Sequence, residues 1–267
     1  MTGLLSPDNP MLLFGCGNMG RAMLDGWLRA GIDPSFFVVV DPFAQNLPAG
    51  VALHADASTI DRQFSIALLA IKPQIFGDAA RMIIPLLTPD ALVLSLLAGT
   101  RCATLQVALP ERRIVRLMPN LAAAMGKSPI GLFSAQGDER KTIDALLAPL
   151  GISYWMLAEE QMDAVTALAG SGPAFVYRFI DALAQAGVEL GLDPAQSLGL
   201  AKAMVQGAAE LAATENETPQ ELARRVTSPG GTTAAGLSVL DSGDALLNVV
   251  KATLTAARDR GVELSKS

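Results

Sequence analysis

Met11-Leu-Leu-Phe-Gly15-Cys-Gly17-Asn-Met-Gly20 runs from a short apolar stretch through three glycines into a helical segment. The spacing is G-x-G-x-x-G. In a strand–turn–helix setting the first glycine makes the tight turn. The second lets backbone approach a pyrophosphate at the positive helix N-terminus. The third lets helix and strand pack closely. The helix is predicted over Met19–Ala30, with Gly31 as its C′ residue and Asp33-Pro34 beyond it. A strand follows at Phe36–Val40, so the glycine turn opens a βαβ unit.

Working outward, Ile66–Ile71, Leu92–Leu97 and Ile114–Met118 read as buried strands, separated by helices at about Gln74–Leu87 and Thr104–Leu109. Ile130–Phe133 and Ser153–Leu157 look like later strands flanking a helix at Asp138–Leu150. Near-continuous apolar strands alternating with helices predict an α/β fold with a mostly parallel sheet covered on both faces. From Glu159 the pattern becomes helical only, over Glu159–Ala169, Pro173–Leu190, Pro194–Ala213, Pro219–Val226, Thr233–Leu240 and Ala245–Leu264. Asp193-Pro194 is an N-cap with proline at N1, and Thr218-Pro-Gln-Glu221 fits a capping box. The expected division is 1–158 for the sheet domain and 159–267 for the helical one. Gly187, Gly199 and Gly207 lie in helices rich in small residues, which favours close helix–helix contact within or between chains.

The chain has 267 residues, 51% of them hydrophobic and 17% charged, enough for a large core and unlike a disordered chain. Two cysteines, Cys16 and Cys102, exclude a disulfide scaffold. A net charge of −6 without a basic run disfavours nucleic acid. No apolar stretch reaches the length of a membrane span, and the first residues lack a signal-peptide pattern, so a cytoplasmic protein with reduced thiols is expected.

Chemistry-bearing residues fall at two ends. Asp41 closes the second strand, where an acidic residue binds ribose hydroxyls and repels a 2′-phosphate, leaning towards NADH over NADPH. A turn role before Pro42 is the equal alternative. Lys72-Pro73 lies at the carboxyl end of the next strand, where open sheets bind ligands; Lys72 faces a cofactor there or is simply solvated. One histidine, His54 at the end of a short strand, supports neither a metal site nor a Ser/His/Asp set. In the helical half, Leu168-Ala-Gly-Ser171-Gly-Pro173 interrupts a helix, and Thr227-Ser228-Pro-Gly230-Gly231-Thr232-Thr233 leads into another. The second loop suits a small carboxylate bound by the amides of Gly231, Thr232 and Thr233, or is an ordinary helix–helix turn.

Taken with Arg116-Leu-Met-Pro-Asn120, Ala167–Pro173 and Val226–Thr233, these motifs resemble the pyrroline-5-carboxylate reductases over nearly the whole chain. The resemblance implies a Rossmann domain, a helical domain interleaved with a second subunit, and homodimers that assemble into decamers of five dimers. It implies NADPH or NADH on Gly15, Gly17, Asn18, Met19 and Gly20, with Asp41 beside it. The nicotinamide would lie near Lys72, Pro73 and Asn120. The substrate carboxylate would sit on Ser228, Gly230, Gly231, Thr232 and Thr233, with Ser171 in the pocket. Thr233 would stand near the ring nitrogen and serve catalysis. Asp41-Pro42 departs from members with polar or basic residues there. A β-hydroxyacid dehydrogenase is the alternative, but Gly170–Arg178 offers no catalytic lysine and the next one is Lys202. A non-catalytic dinucleotide-binding regulator is a second alternative, opposed by the intact Ser228–Thr233 loop.

Overall fold

The computed structural model describes residues 4–136 and 140–264. The chain packs as two units, Met1–Ser171 together with Ala257–Ser267, and Gly172–Ala256.

The first unit holds eight strands: β1 Met11–Phe14, β2 Phe37–Val40, β3 Ala52–His54, β4 Phe64–Leu69, β5 Leu87–Ser95, β6 Arg113–Met118, β7 Ser128–Phe133 and β8 Gly151–Trp155. They form one sheet in the order β3-β2-β1-β4-β5-β6-β7-β8, with every pair parallel except β6 and β7. The helices of this unit are α1 Asn18–Arg29, α2 Phe76–Ile83, α3 Cys102–Ala108, α4 Arg140–Leu147 and α5 Gln161–Val165. Because side chains alternate across a strand, Met11 and Leu13 enter one core with Trp27 and Phe37, while Leu12 and Phe14 enter the opposite core with Val38, Val40 and Ile83. Both faces are therefore covered, which is why β1, β2 and most of β4 are buried on both sides. The wholly buried Trp27 stacks on Phe37 at 5.5 Å and donates its indole N–H to the Leu146 carbonyl at 2.8 Å, tying α1 to α4.

The second unit is helical: α6 Gly172–Glu189, α7 Pro194–Thr214, α8 Pro219–Arg225, α9 Thr232–Leu240 and most of α10 Ala245–Leu264. The α6–α7 turn uses Gly191 at φ +100°, then Asp193 caps α7 by accepting from the Ala195 and Gln196 amides. Ser197 Oγ donates to the Ala184 carbonyl at 2.7 Å and occupies the space a side chain at Gly187 would need. The capping box of α8 forms as its spacing predicts. Ala184, Ser197 and Ala201 are the only buried residues among those described in this unit.

Several expected elements differ. The single helix at Gln74–Leu87 is a short 3₁₀ turn at Pro73–Ile75, then α2, then a second 3₁₀ turn at Ile84–Leu86, because Pro85 has no N–H to continue the ladder. The strand expected at Leu92–Leu97 starts earlier, at Leu87. Leu87 pairs with Phe64, a register irregularity follows, and pairing resumes at Leu92, so Pro89 sits where no ladder donor is required. Ser153–Leu157 is displaced to Gly151–Trp155. Glu159–Ala169 is α5 followed by a π-turn at Thr166–Gly170, with the Ser171 amide reaching back five residues to the Thr166 carbonyl at 2.9 Å. Asp138 and Glu139, at the start of one expected helix, lie outside the described residues.

Candidate functional site

The glycine turn at the end of β1 is crowded on one side and open on the other. Gly15 sits at φ +94°, and a Cβ there would be 2.6 Å from the Ala70 carbonyl oxygen. A Cβ on Gly20 would be 2.8 Å from the Gly15 carbonyl oxygen. A Cβ on Gly17 would meet nothing within 4 Å, so this backbone is approachable. Gly17 is the N-cap of α1 and supplies no side-chain cap, which leaves the Asn18, Met19 and Gly20 amides without an acceptor among the described residues. Three backbone donors at the positive end of a helix form an anion cradle.

Asp41 is engaged from both sides. Its Oδ2 accepts from the Cys16 amide at 2.7 Å, and its Oδ1 accepts from the Phe43 and Ala44 amides at 2.8 and 3.1 Å. It shapes the turn after β2 and braces the glycine turn at once. Burial pushes the Cys16 thiol up to about 11, with Asp41 and Asp25 adding to the rise against Arg21, so Cys16 is an inert thiol. Arg21 is committed elsewhere, pairing with Asp25 and donating to the Asn46 carbonyl, and Arg62 lies at the other end of the strands, donating to the Asp8 carbonyl. His54 ends β3 and its Nδ1 meets Thr59 Oγ1 at 2.8 Å. Among the described residues no cluster of three or more potential metal ligands occurs.

The carboxyl ends of β4 and β5 border a cavity of about 130 Å³. Pro73 and Gln74 line one side, Ala98 and Gly99 another, and Asp163 and Thr166 a third, with Gly261 beside them. Exposed Lys72 precedes the 3₁₀ turn as its N-cap, and no capping bond comes from its side chain. Asn120 is buried and anchored at three points: its Oδ1 accepts from Ala122, its Nδ2 donates to the Ala169 carbonyl at 3.0 Å, and its amide donates to Ser128 Oγ. It therefore ties the end of β6 to the π-turn that leads into Ser171.

Two acid–base ties hold α5 and the residues before it. Glu159 Oε1 accepts from Arg116 Nη1 at 2.8 Å and from the Cys102 amide at 2.6 Å; Arg101 Nη2 donates to Asp163 Oδ2 at 2.7 Å. Burial raises the Glu159 carboxyl, but the Cys102 amide and the Arg116 guanidinium outweigh it and hold Glu159 below its ordinary value. Burial, followed by the Glu159 charge, pushes Cys102 up to about 12. Neither pairing is visible in the sequence, where the partners are 43 and 62 positions apart.

In the second unit, Ser228–Thr233 forms another glycine turn leading into a helix. Gly230 stands at φ +70°, and Gly231 is the N-cap of α9, again without a side-chain cap. The Gly231 amide, expected to face an anion, instead donates to the Ser228 carbonyl at 3.0 Å. That bond closes the turn. Thr232 and Thr233 keep amides without an acceptor among the described residues, as the first turn of a helix requires. Exposed Ser228 and half-buried Thr233 place hydroxyls at the same helix end.

Residues 159–264 match the family described as pyrroline-5-carboxylate reductase dimerisation, and residues 11–99 match the family described as coenzyme F420-dependent NADP oxidoreductase. The chain is 34% identical to a pyrroline-5-carboxylate reductase of Pisum sativum over 98% of each chain. It is 35% identical to one of Methanosarcina acetivorans, covering 94% of this chain and 96% of that one. Among solved structures it is similar to a pyrroline-5-carboxylate reductase of Coxiella burnetii, with TM-score 0.87, 30% identity and 97% and 99% coverage. It is also similar to the Plasmodium falciparum pyrroline carboxylate reductase with NADP bound, with TM-score 0.85, 27% identity and the same coverage.

Proposed function

The chain belongs to the pyrroline-5-carboxylate reductase family, and from that premise we propose how its own residues carry the reaction. It is an NAD(P)H-dependent oxidoreductase that reduces the carbon–nitrogen double bond of 1-pyrroline-5-carboxylate to give L-proline, the last step of proline biosynthesis. When bound, the reduced nicotinamide supplies the hydride, which goes to the imine carbon while the nitrogen carries a proton.

The amides of Asn18, Met19 and Gly20 hold the pyrophosphate, with Gly15 and Gly17 keeping the approach clear. Asp41 sits at the ribose end. Its anionic charge, with Arg21 and Arg62 committed elsewhere, favours NADH over NADPH. Lys72 and Pro73 shape the nicotinamide end. Asn120 acts there through the backbone it fixes. The Thr232 and Thr233 amides, with Ser228 and the Gly230-Gly231 turn, hold the substrate carboxylate, and Ser171 lines the pocket. Thr233 Oγ hydrogen-bonds the imine nitrogen and orients it; an unassisted hydroxyl is too weak an acid for more.

The protein is a homodimer acting on a small molecule. The exposed apolar side chains of the helical unit, among them Tyr177, Val239 and Val249, support an interface with a second copy. Five such dimers form a decamer. The compartment is the cytoplasm, in keeping with two free buried thiols; no described helix is long and apolar enough to cross a membrane.

The observation that carries the assignment of roles is that both glycine turns end in helices with no side-chain cap. Initial rates of cofactor oxidation with pyrroline-5-carboxylate, run in parallel with NADH and NADPH, test it. Oxidation is expected with both, faster with NADH. A strong NADPH preference would reduce Asp41 to a turn residue. Absence of oxidation with either would remove the reductase reading.

A further inference from the structure

Asp163 is almost wholly buried, yet it lines the cavity at the ends of β4 and β5. Its Oδ2 is held by Arg101 Nη2 at 2.7 Å, and its Oδ1 accepts no hydrogen bond among the described residues. Arg101 stands at the start of α3, directly after the Ala98-Gly99 turn that forms the neighbouring wall, and its Nη1 is buried without a partner. Of the pair only the Arg101 Nη1 N–H is sealed without a partner, which costs stability, while Asp163 Oδ1 keeps solvent access. Such a cost is tolerated where a ligand supplies the missing partner.

The position in the sheet limits which ligand. In this strand order the pyrophosphate lies at the β1–α1 turn and the adenosine ribose at the end of β2, so the other half of the dinucleotide runs over the ends of β4 and β5. A cavity of about 150 Å³ accommodates benzene, so about 130 Å³ is the scale of one aromatic ring. The ion pair with Arg101 offsets the charge of Asp163. What faces the cavity is then a fixed hydrogen-bond acceptor, unsuited to the anionic substrate carboxylate and suited to a neutral N–H donor.

We propose that Asp163, positioned by Arg101, accepts a hydrogen bond from the amide NH₂ of the nicotinamide carboxamide and so sets the rotation of the ring. The proposal rests on the dinucleotide reading above and adds the recognising residue.

Calorimetric titration of the full-length dimer, without substrate, separates the two. The probes are NADH, its reduced 3-acetylpyridine analogue with methyl in place of NH₂, and ADP-ribose, which lacks the ring. Wild type is expected to bind NADH about tenfold more tightly than the analogue, a difference of about 1.4 kcal/mol. The Arg101→Met/Asp163→Leu double variant, which removes both charges together, is expected to bind the two alike and ADP-ribose as wild type does. Equal binding of NADH and the analogue by wild type overturns the proposal. So does a double variant that keeps the preference or loses ADP-ribose in parallel. Should the double variant not fold, Asp163→Asn, with its weaker acceptor, is expected to shrink the preference to about threefold, and an unchanged preference has the same force. Failure of wild type to bind ADP-ribose removes the dinucleotide reading itself.

Discussion

Gly15–Gly20 and Ser228–Thr233 are two versions of one device, a glycine turn feeding a helix that has no side-chain cap. They differ in what surrounds them. The first is walled in: Ala70 closes on Gly15, Gly15 closes on Gly20, and Asp41 braces Cys16 from the next strand. The second stands on its own turn, with nothing within 4 Å of a side chain placed at Gly230 and only Ser228 near Gly231. A cradle that must hold a long cofactor in one pose is built into the sheet. On the proposed assignment, the turn that takes a small carboxylate is left open, to be completed by what arrives.

The contrast breaks most sharply at Gly15. Gly15→Ala is strained at φ +94° and drives a methyl group into the Ala70 carbonyl, so kcat/KM is expected to fall more than about hundredfold, with dinucleotide binding lost in calorimetry. Thr233→Ala tests the open turn. Turnover should drop by about ten- to hundredfold, while the Kd for the reduced cofactor stays within about twofold. Wild-type turnover would take Thr233 out of the chemistry. Ser228→Ala should leave turnover alone and raise the substrate KM about tenfold, the low end of the scale for one hydrogen bond to a charged group.

Glu159, bound to Arg116 and the Cys102 amide, adds a pH signature to the unit that holds the first cradle. Its carboxyl is held below its ordinary value, so its contribution to stability is complete above about pH 4.3 and fades as pH falls further through the lowered value. Glu159→Gln is expected to cost about 1–3 kcal/mol at neutral pH and to flatten the acid limb of a stability–pH curve. An unchanged acid limb would show that another carboxylate governs it. The smallest effect belongs to Gly231→Ala. Its added methyl meets the exposed Ser228 hydroxyl, which can rotate away, and the Ser228 carbonyl oxygen at a tight 3.2 Å, so the melting temperature should move by no more than a few degrees.

Much of this was legible in residue order because it rests on local rules. The Gly15–Gly20 turn, the Asp193 cap and the Thr218–Glu221 capping box each need only neighbours within a few positions. What was not legible depends on distant partners. The strand through Thr88-Pro89-Asp90 reads as a loop, and it becomes strand only because Leu87 finds Phe64 before the register shifts. The π-turn at Thr166–Gly170 has ordinary helix composition; nothing in its sequence announces the wider turn that Asn120 grips at Ala169. The sequence places Asn120 near the nicotinamide, and it does not reveal the bonds by which its side chain also grips Ala122 and Ala169. The ties of Arg101 and Arg116 to Asp163 and Glu159 join arginines from one stretch to acids from another, a pairing that charge counting does not reveal.

The stacked indole of Trp27 has an optical consequence. The chain carries two tryptophans, Trp27 and Trp155, and both lie in the unit built around the sheet. Trp27 is sealed against Phe37, while Trp155 is partly exposed on the edge strand with Arg140 over its ring and Asp144 on its indole nitrogen. The helical unit contributes only the weaker tyrosine emission of Tyr177. A denaturation curve recorded by tryptophan fluorescence is thus blind to the helices, and its divergence from a far-ultraviolet dichroism curve would count how many separate melting events the molecule has.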